Sequence, residues 1–208
     1  MRGKFITVEG TEGVGKTTNM QFIQQWMDAK KLSYVTTREP GGTPFAEEIR
    51  ELLLTPREEV VSDAAELLLV FAARAQHLSQ VIEPVLREGA WVLCDRFTDA
   101  TYAYQGGGRN MRSDMIEDLE LLVQGSLRPD LTIILDIPVE LGLQRASERS
   151  EPDRFEQEKI EFFEKVRKRY LKIARDNPER CEVIDASLPL PDVQEQILTV
   201  LESFWEVR

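Results

Sequence analysis

The stretch Phe5-Ile6-Thr7-Val8-Glu9-Gly10-Thr11-Glu12-Gly13-Val14-Gly15-Lys16-Thr17-Thr18 narrows the choice of fold more than any other part of the chain. The apolar run Phe5–Val8 reads as a buried strand, and Lys16–Lys30 reads as a helix. Between them Gly10, Gly15, Lys16 and Thr17 fit G-x-x-x-x-G-K-[ST], the phosphate-cradling P-loop. Glycines at such positions let backbone N–H groups converge on phosphate oxygens, and the helix N-terminus adds a partial positive charge. The expected cradle is Gly10, Thr11, Glu12, Gly13, Val14, Gly15, Lys16, Thr17 and Thr18. Within it Lys16 would reach the β/γ-phosphates of a nucleoside triphosphate and the Thr17 hydroxyl would sit on Mg2+.

Four further apolar runs follow, with helical stretches between them: Tyr34–Thr37, Trp91–Cys94, Leu131–Leu135 and Glu182–Ile184. Near-continuous apolar strands alternating with helices predict an α/β fold, a five-stranded parallel sheet covered by helices on both faces. The runs are followed by the P-loop, by Arg38-Glu39-Pro40-Gly41-Gly42, by Asp95-Arg96, by Asp136 and by Asp185-Ala186-Ser187. Ligands of open α/β sheets bind outside the carboxyl ends of the strands, so the polar residues gathered there locate the site. Helices are predicted over Asp63–Glu88, kinked by Pro84, and over Ser113–Val123, Pro138–Ser147, Arg154–Arg175 and Asp192–Val207. At 208 residues the chain reads as one large P-loop domain or a domain with a lid, which would fall over about 146–153.

A net charge of −11 argues against non-specific nucleic-acid binding. No apolar run approaches the ~20 residues of a membrane span, and no signal peptide is read before Phe5. The two cysteines, Cys94 and Cys181, fall on different predicted strands without a CxxC partner. Reduced structural thiols and a cytoplasmic location are therefore expected. His77, the only histidine, lies mid-helix and reads as solvated or packed rather than catalytic.

Asp95 closes an apolar strand and reads either as a Walker B-like carboxylate on Mg2+ or as a cap on the next helix. Inside this acidic chain, Arg38, Arg74, Arg96 and Arg109 gather at the expected ligand edge, and Arg145, Arg149 and Arg154 follow the fourth strand. Several arginines beside a P-loop are explained by a second anion, as in a kinase acting on a nucleoside monophosphate. Such an acceptor is already ionised, so no general base is needed and catalysis reduces to positioning and charge neutralisation. Phe71 and Arg74 are i,i+3 on one helix and share a face; Phe71 fits a base platform or plain core equally, and Arg74 suits a keto pyrimidine.

The chain resembles the thymidylate kinases, P-loop enzymes that phosphorylate dTMP with ATP. The resemblance is carried by Glu9–Thr18, Thr37-Arg38-Glu39-Pro40-Gly41-Gly42-Thr43, Phe71 with Arg74, Asp95-Arg96-Phe97, Ala103-Tyr104-Gln105-Gly106-Gly107-Gly108-Arg109, Arg128-Pro129-Asp130-Leu131-Thr132 and Asp153-Arg154-Phe155-Glu156. It implies that Arg38 and Arg96 hold the dTMP phosphate, that Phe71 stacks on thymine and that Arg74 donates to O4. It further implies that Thr101 and Gln105 contact the base edge, that Tyr104 crowds the sugar 2′ position and that Glu12 lies near the 3′-hydroxyl. Pro40 resembles the family's cis-proline, adenine is expected near Arg145 and the loop after Asp185, and Ala100 stands where the family often has serine. One branch of the family carries an arginine after the acidic P-loop residue; here that position is Gly13, and Ser147 replaces an arginine of some relatives. The transition-state cation is therefore expected from the lid, at Arg149 first and Arg154 second, completing with Lys16 and Arg96 the expected catalytic set. A homodimer is also implied, in keeping with the apolar surplus of Asp63–Glu88.

Two rivals stand beside this reading. A deoxynucleoside kinase would need a carboxylate base for a sugar hydroxyl, a role Glu9 could fill. A non-catalytic nucleotide switch is disfavoured by the missing N-K-x-D motif and by the surplus of strand-end arginines.

Overall fold

The computed structural model describes residues 2–148 and 153–206. Five parallel strands form one sheet in the order β2-β3-β1-β4-β5. They are β1 (Phe5–Glu9), β2 (Tyr34–Arg38), β3 (Trp91–Asp95), β4 (Leu131–Asp136) and β5 (Cys181–Asp185). Side chains alternate across a strand, and here both faces are apolar. Ile6, Val8, Leu93, Ile133 and Leu135 face Ile23 and Met27 of α1 (Lys16–Ala29) and Ile197 and Leu201 of α9 (Leu190–Glu206). Phe5, Val92 and Cys94 face Leu78, Ile82 and Leu86 on the other side. Ile134 meets Phe163, Val166 and Tyr170 of α8 (Ile160–Asp176) there. This double burial is why the strands read as continuous apolar runs.

Each strand runs at least one residue beyond its predicted end, and the added residue is charged: Glu9, Arg38, Asp95, Asp136 and Asp185. The polar edge is thus part of the ladder itself. Both cysteines are free and buried.

Three helical expectations are corrected. The predicted helix Asp63–Glu88 is α3 (Asp63–His77), a π-helical turn Leu78–Ile82 and α4 (Glu83–Arg87). Pro84 cannot donate to the Gln80 carbonyl and its ring crowds that oxygen, so the helix widens over the preceding turn. The predicted helix from Arg154 begins only at Ile160. Asp153 Oδ1 accepts the N–H groups of Phe155 and Glu156, and Arg154 N–H donates to Leu54 O at 2.9 Å, which holds 153–156 in a turn against another element. That element, α2 (Pro44–Leu54), has no counterpart in the sequence reading. Thr43 caps it through Ala46 N–H, Pro44 sits in its first turn, and Ala46, Ile49 and Leu53 are its buried stripe. Between β3 and β4 lie α5 (Thr98–Thr101), a π-helical segment Tyr102–Gly108 and α6 (Ser113–Gln124); α7 (Val139–Ser147) leads towards the lid.

Candidate active site

The loop between β1 and α1 needs its glycines for space as well as for torsion. Gly10 has φ 141°, and a Cβ on it would stand 2.6 Å from Leu135 O, where the chain crosses the end of β4. At Gly13, φ 68°, a Cβ would stand 1.9 Å from Gly142 O of α7, so neither arginine nor any other side chain fits there. Gly15, φ 85°, opens α1. The resulting cleft is lined by Glu12, Gly13, Val14, Gly15, Lys16, Thr17 and Thr18, and across from them by Arg38, Arg50, Asp95 and Arg96. Gly10 and Thr11 lie beneath it rather than in its wall; Thr11 is buried and its carbonyl accepts Lys16 Nζ at 3.3 Å. Burial, reinforced by the Arg96 charge, pulls the Lys16 ammonium below its ordinary range.

Asp95 and Thr17 share this cleft. Asp95 Oδ1 is buried without a hydrogen-bond partner, a lone pair left for a cation or water. Among the described residues no group of three or more His, Cys, Asp or Glu could hold a metal. One carboxylate and one hydroxyl suit Mg2+, which keeps several waters and shares its shell with phosphates.

Arg96 occupies the left-handed region at φ 66°, a conformation that persists only where its surroundings hold it. Here Arg96 N–H donates to Val8 O at 3.0 Å and Phe97 N–H to Glu9 Oε1 at 2.7 Å. Its guanidinium is thereby aimed at Glu12 Oε1 (2.7 Å) and the Tyr104 hydroxyl (2.8 Å), and Tyr104 in turn donates to Glu12 Oε1 at 2.9 Å. Burial alone would raise the Glu12 carboxyl, but Arg96, Lys16 and the Tyr104 hydroxyl hold it down at about 2.

Beyond this triangle lies a second pocket. Its wall includes Glu12, Glu39, Pro40, Arg50, Val70, Arg74, Arg96, Ala100, Thr101, Tyr104, Gln105 and Phe155. The Glu39–Pro40 peptide is cis. Glu12, Glu39, Arg50, Arg96 and Asp153 line the P-loop cleft as well, so the two spaces adjoin. Buried Arg74 donates through Nε to Glu39 Oε2 (2.7 Å) and through one terminal nitrogen to Thr101 Oγ1 (3.0 Å). Its other terminal nitrogen, NH1, is buried and unpartnered.

The expected positions divide three ways. Lys16, Thr17, Asp95, Arg96, Glu12, Arg74, Thr101, Tyr104 and Gln105 come together as expected. Arg38 lines the cleft but is half-exposed and turned onto Glu47 at 2.7 Å. Arg145 approaches the loop after β5, donating to Ala186 O at 3.2 Å. Phe71 does not line the pocket: it packs with Leu67 and Ile116, the Arg74 guanidinium lies 4.8 Å from its ring, and Val70 faces the pocket instead. Arg109 and Arg154 are not free in the cleft but bound to Glu66, at 3.2 and 2.7 Å. Arg149 lies outside the described residues.

Arg50 was missed by the sequence reading. It lines both spaces and donates to Pro40 O at 2.9 Å, and burial together with the Arg38 and Arg96 charges weakens its hold on its proton. The readable signal was its place four residues after Ala46 and three before Leu53, on the flank of the α2 stripe.

Glu9 is enclosed, with Phe97 N–H on one oxygen and the Tyr170 hydroxyl on the other at 2.9 Å. Burial, reinforced by Asp99, pushes its carboxyl up to about 8. It lines neither space, so it is not placed to serve as the base that a nucleoside kinase would use. His77 is fully buried, its Nδ1 3.0 Å from Glu39 Oε1 and its Nε2 2.7 Å from Thr37 Oγ1. It supports the Glu39–Arg74 pair from behind.

Comparisons with known proteins point to one family. The sequence model of a family described as thymidylate kinase matches residues 8–197. A thymidylate kinase of Teredinibacter turnerae is 59% identical over 204 residues, 98% of this chain and 100% of that protein. One of Pseudomonas savastanoi pv. phaseolicola is 56% identical over 208 residues, 100% of this chain and 99% of that protein. The crystal structure of a thymidylate kinase from Ehrlichia chaffeensis superposes with a TM-score of 0.78 at 33% identity, covering 97% of this chain and 99% of that one. The chain belongs to the thymidylate kinase family.

Proposed function

We propose that this protein transfers the γ-phosphoryl group of ATP to the phosphate of dTMP, giving dTDP and ADP. The observation that carries the reading is the shared wall: a second pocket opens directly onto a P-loop cleft, and Arg50 and Arg96 stand at the junction. Two polyanions meeting there need cations between them and no base.

Arg96, Arg50 and Arg38 hold the acceptor phosphate, and Lys16 with the loop N–H groups holds the triphosphate. Arg74, oriented by Glu39 and Thr101, donates its free NH1 to the O4 of thymine; the amino group of a cytosine would meet the same donor unfavourably. Val70 supports the base and Tyr104 crowds the 2′ position. Thr17 and Asp95 would hold Mg2+, which neutralises charge on the transferring group when bound. Adenine rests near Arg145 and the loop after Asp185, and Arg149 of the lid supplies the remaining cation. With Arg154 bound to Glu66, Arg149 carries that role alone.

The protein works in the cytoplasm as a homodimer, in contact with neither membrane nor nucleic acid. Leu68 of α3 and Leu121 and Leu122 of α6 are 57%, 72% and 79% exposed, a costly display for a monomer. Among the described residues no helix is long and apolar enough to cross a membrane.

A coupled ADP-release assay over nucleosides and monophosphates tests the activity. Turnover should be highest with dTMP. A preference for thymidine would instead indicate a nucleoside kinase, and silence with every acceptor a switch. Sedimentation at micromolar concentration should give twice the 23.9 kDa chain mass; a lone monomer peak would sink the dimer.

A further inference from the structure

Glu66 of α3 is 1% exposed, yet nothing in the proposed transfer uses it. Its carboxylate accepts four N–H donors from two segments far away in the chain. Gln105 Nε2 reaches Oε1 at 2.8 Å, Arg109 reaches Oε1 and Oε2 at 3.3 and 3.2 Å, and Arg154 reaches Oε2 at 2.7 Å. Burial would raise the carboxyl, but these donors and the Arg109 charge hold it below the usual range.

The two segments have different business. Gln105 is part of the pocket wall. Arg154 stands where the chain comes back from the lid, and it is bound on three more sides. Its Nε donates to Leu53 O at 2.6 Å, its backbone N–H to Leu54 O at 2.9 Å, and its guanidinium lies 4.4 Å from the Phe155 ring. Leu53, Leu54 and Phe155 all line the pocket, and Asp153 lines pocket and P-loop cleft alike. The root of the lid is therefore built into the wall of the acceptor site, and a single carboxylate ties that root to Gln105.

We propose that Glu66 is a positioning residue that couples the two substrate sites, so that filling the acceptor pocket fixes the root of the lid and strengthens ATP binding. The inference rests on reading the pocket lined by Arg74 and Gln105 as the dTMP site and takes that reading further. A nucleotide pressing on Gln105 and Phe155 holds 153–155 against α2, and with them Asp153 in the wall of the P-loop cleft where ATP binds.

The test is the affinity of a non-hydrolysable ATP analogue, by calorimetry, with and without saturating dTMP. In the parent the ratio of the two constants should reach about 5-fold or more. Glu66→Gln should bring it close to one, and Glu66→Asp should restore part of it. A purely structural role would lower Tm and leave the ratio, read per folded molecule, unchanged. Should Glu66→Gln fail to fold, Arg154→Ala leaves Glu66 paired with Arg109 and must show the same loss. The double variant should lose no more than either single one, as expected of residues acting through one contact. A parent ratio of one, or a parental ratio in either single variant, overturns the proposal. Failure of the underlying reading looks different: dTMP would then give no binding signal with the parent at all.

Discussion

Replacing Gly142 by alanine should separate stability from catalysis. A Cβ at this position of α7 would stand 2.5 Å from the carbonyl oxygen of Glu12, about 0.9 Å short of the 3.4 Å at which ordinary contact begins. Backbone faces backbone there, so no flexible side chain can swing aside, and the P-loop or α7 has to move by most of that distance. Overpacking of this kind costs ~1–3 kcal/mol, while alanine for glycine inside a helix returns ~1 kcal/mol. The net loss of ~0–2 kcal/mol corresponds to a Tm lowered by roughly 0–8 °C. Catalysis should suffer far more, because a displacement of ~1 Å in a positioned group can cost ~10²-fold. Steady-state kinetics should show kcat down by about that factor in a protein with parental circular dichroism. A Gly142→Ala protein with parental kcat and KM for ATP would show that the loop tolerates the shift, and the account of its seating on α7 would be wrong.

Three further outcomes follow from the same geometry. Lys16→Ala should keep the fold and lose ~10²–10³ in kcat, as for other preorganised charges; near-normal turnover would count against the cradle. Glu9 has a folded-state pKa raised to about 8 from an ordinary 4.5, so its contribution to stability is complete below about 4.5 and is lost as the pH rises towards 8. Glu9→Gln should therefore gain on the parent in Tm between pH 5 and pH 8, and a constant offset across that window would refute the assignment. Arg74→Ala strips Glu39 of a buried partner, a loss worth ~3–5 kcal/mol, yet the ratio of kcat/KM for dTMP over dCMP does not depend on how much protein is folded. That ratio should shrink; an unchanged value would mean that Arg74 does not read the base.

The sheet, the loop and most of the site were legible in the sequence because they rest on local rules. An apolar run ending in a charged residue is a buried strand with a polar end, and glycine spacing writes the P-loop. The Phe71 expectation failed for a geometric reason: residues three and four before Arg74 are both its neighbours on a helix. Only packing decides between them, and Leu67 and Ile116 take Phe71 into the core, leaving Val70 to the pocket. Arg109 and Arg154 looked like free cations because nothing local announces Glu66, 43 and 88 residues away. Helix α2 was hidden by the loop-like Pro40-Gly41-Gly42-Thr43-Pro44, although Thr43 and Pro44 are themselves its start signal. With α2 overlooked, Arg50 had no place near the site.

The most direct test of the central claim is the fate of the transferred phosphorus. Purified protein incubated with γ-labelled ATP, dTMP and Mg2+ should place the label in the β-phosphate of dTDP, with one ADP formed for each dTDP. Label released chiefly as inorganic phosphate, or carried to thymidine in preference to dTMP, would contradict the account.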